Sequence, residues 1–145
     1  MVMVQRVVDD QERRRAEALA ASERNVTENE AKLAELEAYQ ATYLRDFSSR
    51  AGTGMNAASA RDYQAFLARL GEALRQQALA VVRAKAQRDS ELRNWQGAAQ
   101  RADAVSHMVK RWNAEEQREL ERIEQKETDE FSQRPAGLGL FPRGA

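Results

Sequence analysis

LAELEAYQATYLRDF (Leu33–Phe47), SSRAGTGMNAASA (Ser48–Ala60) and RDYQAFLARLGEALRQQ (Arg61–Gln77) read as one helix ending, a glycine-bearing turn and a second helix returning. Leu33, Leu36, Tyr43 and Phe47 fall on the alternating three- and four-residue steps of a coiled-coil seam, and Tyr63, Leu67, Leu70 and Leu74 repeat those steps after the turn. Two such seams joined by a short flexible segment are expected to fold on each other as an antiparallel hairpin. Gly52 and Gly54 supply the break, and Asn56 or Ser59 can cap the helix that follows; Ser59 with Asp62 fits a capping-box start.

Working outward, both seams continue. Helix 1 is expected over about 4–48, with Leu19, Val26, Leu33, Gln40 and Phe47 at one heptad position and Leu36 and Tyr43 at the other. Toward its start Glu12, Arg15, Ser22 and Asn29 occupy seam positions, so this arm should be the less tightly zipped. Arg13, Arg14 and Arg15 form a basic knot there; a solvated helix face is the plain reading. The turn is expected over about 49–57 and helix 2 over about 58–131. Helix 2 carries Leu67, Leu74, Val81, Arg88, Trp95, Ala102, Val109 and, after a polar Glu116, Ile123 at one position, and Tyr63, Leu70, Gln77, Ala84, Glu91, Ala98, Val105 and Trp112 at the other. Arg88 and Glu91 are neighbours on the seam and suggest a paired polar layer. Pro135 stops the helix, and 135–145 is expected to be a disordered tail. The fold expected is therefore all-α: one coiled-coil hairpin over 1–134, with a longer second helix.

At about 1.5 Å per residue, helix 2 outlasts helix 1 by tens of ångströms. With the turn centred near Gly52, Val8 would face Gln96 and Met1 would face Asp103. Val105, Met108, Val109, Trp112, Leu120 and Ile123 would then have no partner on helix 1 and form an apolar overhang needing cover. Near the turn, Tyr39 and Phe66 both fall on the flank beside the seam at one level, with Lys32 and Ala73 a heptad away. They make either a small aromatic surface patch or a shield over the seam.

Composition narrows the function classes. Of 145 residues, 32% are charged and 6% aromatic, and 23 basic side chains balance 23 acidic ones. That balance argues against a nucleic-acid partner, which usually demands a basic excess on one face. No apolar run approaches the ~20 residues of a bilayer-spanning helix, so no direct membrane insertion is expected. MVMVQRVVDD lacks the apolar core of a secretory signal. The absence of cysteine is compatible with a reducing cytoplasm. His107 has only Asp103 at ligand spacing, which does not make a metal site, and no phosphate loop or nucleophile elbow is present. No cofactor is implied, and a two-helix hairpin offers no cleft from which to exclude water. The chain reads as non-enzymatic.

Tyr39-Gln40-x-x-Tyr43 before the turn, Tyr63-Gln64-x-Phe66-Leu67 after it and Asp129-Glu130-Phe131 near the end resemble the FliJ family, over essentially the whole chain. The resemblance implies an antiparallel coiled coil akin to a rotary-ATPase stalk, acting in flagellar type III protein export, motility and chemotaxis. It implies three partners: the hexameric export ATPase, the cytoplasmic part of the export-gate membrane protein, and substrate chaperones that the stalk escorts. The family's gate-contacting surface carries over onto Leu36, Tyr39, Tyr43, Phe66, Leu70 and Ala73, while Lys32 and Gln77 depart from the family pattern. By analogy with rotary stalks the terminal end enters the ATPase ring, which designates Arg13, Arg14, Val105, Val109 and Trp112. The implied location is cytoplasmic, peripheral to the inner membrane at the flagellar base, and the free form is expected to be a monomer. An injectisome stalk, or a self-associating coiled-coil spacer without an ATPase partner, fits the same residues.

Overall fold

The structure, a computed structural model, describes residues 2–133; the tail expected at 135–145 lies outside the described residues. Two helices account for nearly all of it: α1 over Val2–Thr53 and α2 over Ala57–Gln133. No strand occurs among the described residues. The chain packs as two units, Asp10–Ala99 and a second one combining Met1–Asp9 with Gln100–Ala145.

In the Asp10–Ala99 unit the helices form an antiparallel coiled-coil hairpin. Its turn is shorter than the sequence suggests, because α1 continues past Ser48 and through Gly52 to Thr53. A glycine inside a helix costs about 1 kcal/mol relative to alanine but does not forbid the helix. Among the described residues only Gly54 has a positive φ, at 99°. This left-handed residue terminates α1 at little cost because it has no Cβ to clash. Asn56 then caps α2: its Oδ1 accepts from the Ser59 N–H at 2.8 Å and its carbonyl from the Ala60 N–H at 3.0 Å. Ser59 lies in the first turn of α2 rather than at its cap.

The seam holds as the heptads require. Val26 on α1 and Leu70, Val81, Ala84 and Ala98 on α2 are its buried apolar residues. Leu33, Leu36, Phe47, Leu67 and Leu74 are half-buried between them. Burying a side chain such as Leu70 contributes about 2 kcal/mol, and the hairpin is the sum of many such small layers.

Of the four polar seam residues of the early arm, Glu12 and Asn29 bond across to α2, Ser22 bonds within α1 and Arg15 is exposed. Gln77 donates its amide to the Asn29 backbone carbonyl at 2.9 Å and to Asn29 Oδ1 at 3.0 Å. Ser22 is buried and donates to the Leu19 carbonyl at 2.8 Å. Trp95 Nε1 donates to Glu12 Oε1 at 2.8 Å. One heptad from Asn29 and Gln77 lie Ser22 and Ala84, both buried and both small. The expected Arg88–Glu91 layer does not form. Arg88 turns outward to Asp89, with bonds of 3.1 and 3.0 Å, and Glu91 accepts from Gln87 instead. Water is near enough at this thin seam for the guanidinium to keep its charge solvated there.

In the second unit Gln5, Val8, Ala102, Val105, Ser106 and Val109 are half-buried, whereas every residue from Lys110 to Gln133 is exposed. This corrects the expected overhang: Val105 and Val109 are partly covered, and the bare stretch begins at Lys110. Because α1 starts at Val2 and the turn sits at Gly54–Asn56, more of α2 has a partner than a turn at Gly52 would leave.

Candidate functional site

The hairpin end nearest the turn carries a ladder of five aromatic rings. Tyr39 stands edge-on to Phe66 with centroids 6.1 Å apart at 76°, so the flank register does bring these two rings together. Tyr43 touches Tyr39 at 5.9 Å, Phe66 at 4.3 Å and Tyr63 at 5.0 Å, and Phe47 meets Tyr63 at 5.4 Å. Tilted and edge-on pairs of this kind add about 1 kcal/mol each beyond area burial. The ladder therefore stiffens the backbone that presents it. Tyr39 is 50% exposed, whereas Tyr43 and Phe66 are half-buried. Tyr39 is thus the ring that a partner can reach.

Leu36 is half-buried, Ala73 is exposed and Leu70 is 6% exposed. Leu70 therefore belongs to the seam beneath the surface, and its side chain offers almost no contact area. Leu36 and Tyr39, together with Lys32, Glu35 and Gln77, line one shallow surface hollow. The two positions that depart from the family pattern, Lys32 and Gln77, thus sit in the same hollow as two of the designated residues.

Beyond the ladder, toward the turn, lies a polar group that heptad reasoning did not single out. Tyr63 donates its hydroxyl to Asp46 Oδ2, Arg50 pairs with Asp46 Oδ1 at 3.4 Å, and the Arg50 guanidinium lies 5.9 Å from the Tyr63 ring centre. The hydrogen bond to Asp46 holds the Tyr63 pKa above its ordinary value, helped by desolvation and opposed by Arg50. The Asp46–Arg50 spacing of i,i+4 was the available signal for this group.

The residues designated for the terminal end fall in different units. Arg13 and Arg14 lie in the Asp10–Ala99 unit, highly exposed, and both reach back to Asp10, at 3.3 and 3.5 Å. Val105, Val109 and Trp112 lie in the other unit, the valines half-buried and Trp112 52% exposed. His107 Nε2 lies 3.5 Å from Asp103 Oδ2 on an exposed face, and no group of three or more metal-ligating side chains is assembled among the described residues. No described helix is long and apolar enough to cross a membrane.

The Asp10–Ala99 unit defines the class of antiparallel two-helix coiled-coil hairpins. A family described as "Flagellar FliJ protein" matches residues 1–137, and the chain belongs to the FliJ family. That membership associates it with the flagellar export apparatus. Searches of curated proteins and of solved structures gave no match.

Proposed function

We propose that the chain is a flagellar type III export component that acts as a central-stalk-like partner of the hexameric export ATPase. Its tip contacts the cytoplasmic part of the export gate, and the protein escorts unloaded substrate chaperones. It works at the flagellar base, peripheral to the inner membrane, through surfaces rather than chemistry. The observation that carries this reading is Tyr39, half-exposed and braced edge-on by Phe66, on the flank where the family's gate-contacting positions fall. A braced ring loses little rotamer freedom on binding, which favours it as an anchor. The exposed end of α2, with Trp112, together with Arg13 and Arg14, serves the ATPase. Co-purification of the intact chain with the export ATPase and with the gate's cytoplasmic part tests the proposal. Recovery of neither would leave a coiled-coil spacer.

A further inference from the structure

The charges of α2 beyond Lys110 are mixed in count but sorted in space. At about 100° per residue, Trp112, Leu120, Ile123 and Phe131 fall within one arc of roughly 140°. All four are large and exposed, from 43% for Ile123 to 70% for Phe131. The same arc holds Glu116, Glu119, Glu124, Glu127 and Glu130, and no lysine or arginine of the stretch. Arg111, Arg118 and Arg122 project on the opposite side together with Glu115, Glu121 and Asp129, while Lys110 and Lys126 lie just beyond the two edges of the arc. Glu119, at the edge of the arc, is engaged by Arg122 at 2.7 Å. The other four glutamates form no salt bridge with any described residue. Val105 and Val109, at the base of the arc, occupy the heptad positions that are buried farther back along the same helix.

We propose that Lys110–Gln133 is a docking face for a basic amphipathic helix of a partner protein, packed on this apolar and acidic arc. The apolar side chains supply the contact, and the glutamates interleaved with them select lysine- or arginine-bearing partners. A second copy of this chain is disfavoured, because it would bring the same glutamates against each other. The inference rests on the proposed function only for who supplies the helix, namely the ATPase.

The test uses the full chain and a fluorescein-labelled synthetic helix of three heptads, with leucine at both seam positions and lysine on the flanks. Its counterpart carries glutamate flanks. Polarisation should report binding of the lysine peptide alone, weakening about tenfold or more as added salt screens the flanks. Glu116→Lys with Glu127→Lys, both on exposed positions, should weaken it at least tenfold, and Trp112→Ser should weaken it as well. Equal binding of both peptides, or unchanged binding by the charge-reversed variant, overturns the proposal. So does a dimer that Trp112→Ser converts to a monomer, since the occupant would then be a second copy. Binding that appears only after removal of 134–145 assigns the face to the chain's own end and overturns it too. If the lysine peptide binds and the ATPase does not, the recognition chemistry stands and the ATPase reading falls.

Discussion

Replacing Tyr39 by alanine separates a presented ring from a packed one. Half of Tyr39 is already in water, so the burial lost is worth about 1 kcal/mol. Loss of its edge-on contact with Phe66 and its tilted contact with Tyr43 adds about 1 kcal/mol. The expected destabilisation is about 1–2 kcal/mol, a fall of roughly 5 °C in Tm for a domain of this size. Leu70→Ala removes a side chain only 6% exposed and should cost about 2–5 kcal/mol. Affinity for the gate should change in the other order. An aromatic anchor at the centre of a contact is worth about 2 kcal/mol or more, hence roughly a thirtyfold loss for Tyr39→Ala. Thermal melts by circular dichroism and calorimetric titration with the cytoplasmic part of the gate, done on both variants, check this. The reasoning fails if Tyr39→Ala lowers Tm as far as Leu70→Ala, or if it leaves gate affinity intact.

Three further outcomes are expected. The tip should respond to alkali: the raised pKa of Tyr63 means the fold favours its neutral hydroxyl, so the stabilisation is complete below the ordinary value of 10.0. It is lost as pH climbs through the higher folded value; absorbance titration should show Tyr63 ionising late, and Asp46→Asn should make it ionise earlier. Truncation after Gln100 should leave the Asp10–Ala99 hairpin folded and gate-competent while co-purification with the ATPase is lost; a collapse of the far-ultraviolet signal would contradict it. The free chain should be a monomer by light scattering, because each arm already has its partner within Asp10–Ala99; a dimer mass at every concentration would contradict that.

The hairpin and its seam were legible because both depend on spacing alone. Leucines, valines and aromatics at heptad steps can be buried only against a second such line, and mirror positions about the turn brought Tyr39 to Phe66. The end of α1 was less legible. Gly52 weakens a helix without breaking it, and the shift of the turn to Gly54–Asn56 moves every facing pair. That displacement carried Val105 and Val109 from the bare end into partial cover while leaving Trp112, Leu120 and Ile123 outside. Partner choice among charged neighbours was also hidden: Arg88 selects Asp89 over Glu91 by rotamer, not by spacing. Asp46 and Tyr63 face each other across the two helices, and no local pattern joins them.

The shortness of the Gly54–Asn56 connection has a kinetic consequence. Closing a chain end on itself costs entropy that grows with the length of the closed segment, and here the first segment to close is almost the smallest one possible. The five rings lie immediately behind it, so the earliest contacts are also among the strongest. Folding of the Asp10–Ala99 hairpin should therefore nucleate at the turn and close like a zipper toward Asp10 and Ala99, in microseconds to milliseconds as local helical topologies do. On a ribosome the tip would be assembled while the end of α2 was still being synthesised. Pulsed hydrogen exchange should find the amides around Tyr43 and Phe66 protected before those around Glu12 and Trp95. Simultaneous protection of both regions would show that the hairpin closes as a single block.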